Sequence, residues 1–196
     1  MIKILFLIFI SISVNAELIK IDKGIYEVWY DSELEQPVKV TYFVKNRPST
    51  YSRKGINFYK EKSFHTSDDE DYYKNIWDKG HMAPAIHFSD TEENLYKTYS
   101  YLNAALQHKS LNRGAWRDLE SNVKKWSSSE TLYVENKIVF NKNSKVLKTG
   151  ATVPSGFQKN IYFQTTKKTK CFYFPNKNIK KSWLSYEKDC DTELLP

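Results

Sequence analysis

Trp116, Leu119, Val123 and Trp126 recur at spacings of three, four and three, and an α-helix with one buried face is the element that brings residues at those intervals onto one side. The spacing predicts an amphipathic helix beginning near Asn112, which needs an apolar surface to pack on. That surface is supplied by segments of the opposite period. Residues 25–30 have the β-branched and aromatic content of a strand, and residues 38–44 alternate with apolar Val38, Val40, Tyr42 and Val44, with residues 31–37 as the turn between them. Residues 132–140, 160–165 and 170–174 are also strand-like. A second helix is predicted from Thr91-Glu92-Glu93-Asn94, a capping hydroxyl followed by acids, with Leu95, Tyr99, Leu102 and Leu106 on its stripe. Strands and helices follow no regular βαβ alternation, which makes the class α+β rather than a doubly wound sheet.

The intervening residues 46–71 mix Pro, Ser, Gly and acids and are read as a long surface loop with a short strand near residues 56–59. Their run Asp68-Asp69-Glu70-Asp71 is read as solvated rather than as a calcium site, since the alternating ligand spacing and central glycine are missing. No repeat or low-complexity tract occurs.

The first sixteen residues have the form of an export signal. Lys3 gives a basic start, an apolar run follows, and Val14-Asn15-Ala16 places small residues where a signal peptidase cuts. The run, roughly 11 residues, is well short of the ~20 that span a bilayer. Residues 1–16 are therefore expected to be removed and residues 17–196 to form a single domain, secreted or periplasmic, with no membrane attachment after cleavage. In that compartment Cys171 and Cys190, without Cys-x-x-Cys spacing, are expected to form one disulfide closing a local loop. The formal charge is +7, with 30 Lys and Arg against 23 Asp and Glu. Such an excess suits a polyanionic partner, although lysine-rich surfaces also serve solubility.

The chemistry concentrates at Asp78-Lys79-Gly80-His81-Met82-Ala83-Pro84-Ala85, followed downstream by Asn112 and Glu120. A neutral imidazole can take a proton from water, a divalent ion can neutralise a phosphate, and an amide or carboxylate can hold the ion. On the predicted helix Asn112, Trp116 and Glu120 fall at i, i+4 and i+8, so two polar side chains lie on or beside an inward stripe. A buried carboxylate is costly unless something pairs with it, and a metal would serve. Asn112 is equally a favoured residue for a helix N-cap, and Glu120 could pair with Arg117 or Lys124 at spacings of three and four.

The motif Asp78-Lys79-Gly80-His81, together with Asn103, Leu111-Asn112-Arg113-Gly114-Ala115-Trp116, Leu119-Glu120 and Val153-Pro154-Ser155-Gly156-Phe157-Gln158-Lys159, resembles the DNA/RNA non-specific endonucleases of the ββα-metal (His-Me finger) class, the endonuclease G-like group. The resemblance runs from about residue 38 to residue 159. It implies a mixed or antiparallel sheet with packed helices, and DNA and RNA as partners. It also implies roles: His81 as general base, Asn112 as the protein ligand of Mg²⁺ with Mn²⁺ as substitute, Glu120 as holder of metal-bound water, Asn103 as a site-organising amide, Arg53 as a phosphate clamp, and Lys79 and Arg113 as substrate contacts. Phosphodiester hydrolysis leaving 5′-phosphate ends is then expected. Arg47 lies near enough to rival Arg53.

Two departures matter. Lys79 stands where the family usually has arginine, keeping the charge but losing the planar fork that grips a phosphate through two bonds. Residues 132–138 are not followed by the family's usual Thr-Gly. A rival reading is a catalytically impaired nucleic-acid-binding protein of the same fold. Assembly as monomer or homodimer is not set by any sequence feature.

Overall fold

The structure, a computed structural model, describes residues 18–190, and the predicted signal segment, residues 1–16, lies outside them. In chain order the elements are β1 (Leu18–Asp22), β2 (Glu27–Asp31), β3 (Gln36–Val44), α1 (Asp69–Tyr72), β4 (Trp77–His81), α2 (Glu92–Lys97), β5 (Ala104–His108), α3 (Lys109–Leu111), α4 (Arg117–Trp126), β6 (Leu132–Val139), β7 (Gly156–Phe163), β8 (Thr169–Pro175) and β9 (Glu187–Lys188). The larger sheet has the order β1-β2-β3-β6-β7-β8-β9. Every neighbouring pair in it is antiparallel. Strands β4 and β5 pair separately, also antiparallel, with Gly80 opposite Ala105 and His81 opposite Ala104.

Alternation explains the layering. Val28 and Tyr30, then Val40, Tyr42 and Val44, then Leu132, Val134 and Ile138, then Phe157 and Ile161 point to one face and form the core with Trp116, Leu119 and Val123 of the helical segment. The Trp116 ring sits between Phe157 and Phe174, with centroids 5.5 and 5.6 Å away. The α+β class thus holds.

Several boundaries differ from expectation. The helix after Thr91 is capped as predicted, with Thr91 Oγ1 accepting from Asn94 N at 3.0 Å, but it stops at Lys97. Leu102 sits in a single 3₁₀ turn and Leu106 in β5. All four stripe residues are buried, on different elements, because residues 104–108 pair with β4 instead of extending the helix. Short apolar periodicity cannot separate those outcomes. The strand expected near residues 56–59 reduces to one bridge, Tyr59 with Ser100.

The acidic run is solvated at Asp69 and Glu70, as expected, but it forms the short helix α1 rather than a loop. Asp68 caps α1 by accepting from Glu70 N at 2.9 Å, and Asp71, which is buried, accepts from Asp68 N at 2.8 Å. Cys171 and Cys190 form the expected disulfide, with Cα atoms 5.3 Å apart.

Candidate active site

The β4–β5 pair and the helical segment after it converge on a cleft of about 730 Å³, lined among others by Arg53, Lys79, His81, Asn112, Arg113 and Glu120. Of the sequence-predicted site residues only Asn103 does not line it. His81 ends β4. Gly80 before it is required by close approach, since a Cβ there would lie 2.5 Å from Gln107 Oε1 and 2.6 Å from Gln107 Cβ across the strand pair.

His81 packs between Phe58 and Tyr99, each ring centroid 4.9 Å away. Its Nε2 is buried and has no hydrogen-bond partner among the described residues. Burial, and after it the Arg53 charge, pull its pKa down to about 3. The imidazole is therefore neutral at ordinary pH, the form that can accept a proton at a ring nitrogen.

Asn103 explains why the segment after His81 holds still. It is fully buried, and its side-chain Nδ2 donates to Ala83 O and to Thr98 O, both at 2.8 Å, while Oδ1 accepts from Ala83 N at 2.7 Å. Its backbone carbonyl accepts from Met82 N at 2.9 Å. The amide's hydrogen bonds lie within the fold, which makes it a strut for residues 82–83.

The helical segment does not run straight from Asn112. A π-helical turn spans Asn112–Trp116, broken by non-helical dihedrals at Gly114 (φ −115°, ψ −115°), before α4 begins at Arg117. The N-cap reading of Asn112 is set aside: the short helix α3 is capped by His108, whose Nδ1 accepts from Ser110 N at 3.2 Å. Asn112 Nδ2 instead donates to Asp78 Oδ2 at 2.9 Å, leaving its amide oxygen without a hydrogen bond among the described residues. Asp78 also receives a two-pronged contact from Arg113, Nε to Oδ2 at 2.8 Å and Nη2 to Oδ1 at 2.7 Å. Burial alone would raise the Asp78 pKa, but the Arg113 and Asn112 contacts outweigh it and hold the carboxyl below its usual range.

Glu120 pairs with neither Arg117, which meets Asp118 at 3.1 Å, nor Lys124, which donates to Ile86 O at 2.7 Å. It is buried, and its nearest cation is the fully buried Lys159, Nζ to Oε1 3.9 Å. Burial pushes Glu120 up and Lys159 down, each opposed by the other's charge.

The basic residues divide sharply. Arg47 is taken by Asp90 at 3.1 Å and lies over Phe88. The Arg53 side chain makes no ion pair or hydrogen bond among the described residues, so it is the uncommitted cation of the cleft. Lys79 forms an ion pair with Asp69 of α1 and sits 5.3–5.8 Å from the ring centroids of Phe58, Tyr72 and Tyr101.

The donor set fits a hard cation sparingly held. No group of three or more His, Cys, Asp or Glu able to hold a metal occurs among the described residues. The free Asn112 amide oxygen and the carboxylate of Glu120, which lines the cleft, are oxygen donors of the kind that suit Mg²⁺, which keeps most of its waters. Sequence reasoning passed over Asp78 as a site residue, together with Lys159, Asn136 and Asp69. Lys159 and Asn136 carried a signal, because each falls in phase with the inward apolar residues of its strand.

The family model for DNA/RNA non-specific endonuclease matches residues 11–192 of this chain. Over 55 residues the chain is 38% identical to the mitochondrial nuclease EXOG of Danio rerio, a stretch covering 28% of this chain and only 16% of that relative. The fold is similar to a chain in the crystal structure of the EndoG/EndoGI complex, which addresses the mechanism of EndoG inhibition, with a TM-score of 0.76 and 21% identity over 87% of this chain and 80% of that one.

Proposed function

Because this chain belongs to the DNA/RNA non-specific endonuclease family, we propose that its cleft hydrolyses phosphodiester bonds of DNA and RNA without sequence preference. The fold is the ββα-metal arrangement, here β4, β5 and the helical segment from Lys109 to Trp126. The observation that carries the reading is that His81, the unpaired Arg53 and Asn112 with its free amide oxygen line one cleft.

His81 accepts a proton from the water that attacks phosphorus. The bond from phosphorus to the 3′ oxygen breaks, the 3′ oxygen takes up a proton from solvent, and the product keeps a 5′-phosphate. Arg53 balances the negative charge that grows on the phosphate oxygens. Asn112, aimed by Asp78, would hold Mg²⁺ or Mn²⁺ through its amide oxygen, with Glu120 as an outer oxygen partner. Such an ion supplies charge neutralisation at the scissile phosphate. Asn103 keeps residues 82–83 in place, and Arg113 reaches the cleft rim.

Export fits the same reading. We place the protein outside the cytoplasm, secreted or periplasmic after loss of residues 1–16, on the leader-like composition and the Cys171–Cys190 disulfide.

The test is plasmid digestion with Mg²⁺ and with EDTA, run beside a salt-dependent binding assay. His81→Ala should lose roughly 10²–10⁴-fold in rate while still binding nucleic acid. Digestion at the parent rate by that variant would remove His81 as base, and binding without cleavage by the parent protein would favour the impaired-binder reading.

A further inference from the structure

The inward faces of β6 and β7 are apolar except at two neighbouring positions. Asn136 on β6 and Lys159 on β7 are paired in register, both fully buried, in phase with Val134 and Ile138 on one strand and with Phe157 and Ile161 on the other. Burying an ammonium costs several kcal/mol unless it is compensated, and a methionine would fill a similar space without that cost. Lys159 Nζ has no hydrogen-bond partner among the described residues, and neither has Glu120 Oε1, which faces it at 3.9 Å. Its other neighbour is the Trp116 ring, with the ammonium 3.9 Å from the centroid. Buried polar groups left in this state need an explanation.

The location supplies one. Glu120 lines the cleft while its Oε1 is buried toward Lys159, so the carboxylate bridges cleft and core. Trp116 Nε1 in turn donates to His81 O at 3.4 Å, and Asn136 Nδ2 donates to Met82 O at 2.6 Å. The polar pair on the sheet therefore touches both halves of the site from behind.

Resting on the metal-dependent nuclease reading above, we propose that Lys159 is a positioning residue for that reaction: from the core side it orients the Glu120 carboxylate toward the divalent ion that Asn112 would hold. The ammonium never meets substrate. Its contribution passes through Glu120, and this separates it from a lysine that merely fills the core.

A double-mutant cycle read by metal binding tests this. Mn²⁺ affinity is measured by electron paramagnetic resonance without nucleic acid, for the parent, Lys159→Met, Glu120→Gln and the double variant, with thermal melts beside them. Lys159→Met should weaken Mn²⁺ binding by about 10-fold or more, in the range for partners of metal-holding groups. In the Glu120→Gln background the same change should cost nothing further, because the interaction it removes is already gone. An equal loss in both backgrounds, or tighter binding on removing a cation, would overturn the proposal. Should Lys159→Met fail to fold, Lys159→Arg, which keeps the charge but displaces it relative to Glu120, enters the same cycle under the same criteria. A parent protein that neither binds Mn²⁺ nor digests plasmid would undo the nuclease reading. A parent that does both, with an additive cycle, would undo only the role of Lys159.

Discussion

Replacing Asn103 separates a strut from a catalytic contact. Asn103→Ala removes three hydrogen bonds at once and leaves Ala83 N, Ala83 O and Thr98 O facing a small buried void. A buried backbone group stripped of its partner costs about 1–3 kcal/mol. Water entering the void would recover part of that, since such a site is polar and could offer it several partners. The expected loss is then about 3–5 kcal/mol, a large share of the roughly 5–15 kcal/mol that holds a typical domain together. Turnover should fall with it, because Met82 and Ala83 directly follow His81. Asn103→Asp is the sharper variant: it keeps the shape but turns a carboxylate oxygen toward the two carbonyls that now receive Nδ2. It should be at least as damaging at pH 7 and partly recovered near pH 4, where the carboxyl regains a proton to donate. Urea denaturation gives the stability by linear extrapolation, and saturating plasmid digestion gives the turnover. If Asn103→Ala stayed within about 0.5 kcal/mol of the parent, the ordinary range for a change that touches nothing important, while turnover collapsed, Asn103 would be acting in the cleft and the strut argument would be wrong.

Asp78→Ala frees Arg113 and unties Asn112, so the Mg²⁺ concentration for half-maximal activity should rise about 10–100-fold. Stability should move by no more than about 1 kcal/mol, as the Arg113 contact is exposed; an unchanged metal titration would show that Asn112 needs no second partner. His87 is buried with its pKa pulled down to about 3 by burial, and its Nε2 donates to Glu120 O at 2.9 Å. Its folded pKa lies below the unfolded one, so the unfolded chain takes up the proton first, and stability present above about pH 6.5 drains away as pH falls toward 3. His87→Gln, which can keep the donor, should flatten the loss between pH 6 and 4 by up to roughly 1.4 kcal/mol per pH unit; an identical pH slope in parent and variant would place the acid sensitivity elsewhere.

What could be seen in the sequence was what depends on period and on short motifs. The alternation over residues 38–44 and the strand-like residues 132–140 return as β3 and β6, and the Trp116-to-Trp126 stripe as the helical face on the sheet. What escaped depends on contacts across the chain. No local pattern announces that Asn103 will satisfy Ala83 twenty positions earlier, or that Asn112 will donate to Asp78 rather than cap its own helix. The break at Gly114 escaped because a straight α-helical projection assumes an even rotation per residue, and the π-helical turn violates it between Asn112 and Glu120. Lys159 and Asn136 are an intermediate case: each falls in phase with inward apolar residues, and Lys159 closes the Val153-to-Lys159 motif, but neither phase nor motif reveals the buried carboxylate of Glu120 that faces Lys159.

Lys79 shows how the same residue changes meaning between the two levels. In the motif it is a cation beside His81, and the loss of arginine's fork reads as a weaker hold on phosphate. In the fold it lies against Asp69, whose carboxyl it and Tyr101 hold below the usual range, within an aromatic surround that includes Phe58, the ring packed on His81. A phosphate arriving at Lys79 has to compete with a carboxylate already in contact. Arg53 has no such competitor among the described residues and its charge is felt at both His81 and Glu120. The unpaired positive charge of the cleft therefore lies on the loop of residues 46–71, at the Arg53 that the resemblance marks as a phosphate clamp, while the motif's own cation ties α1 to the strand that ends at His81.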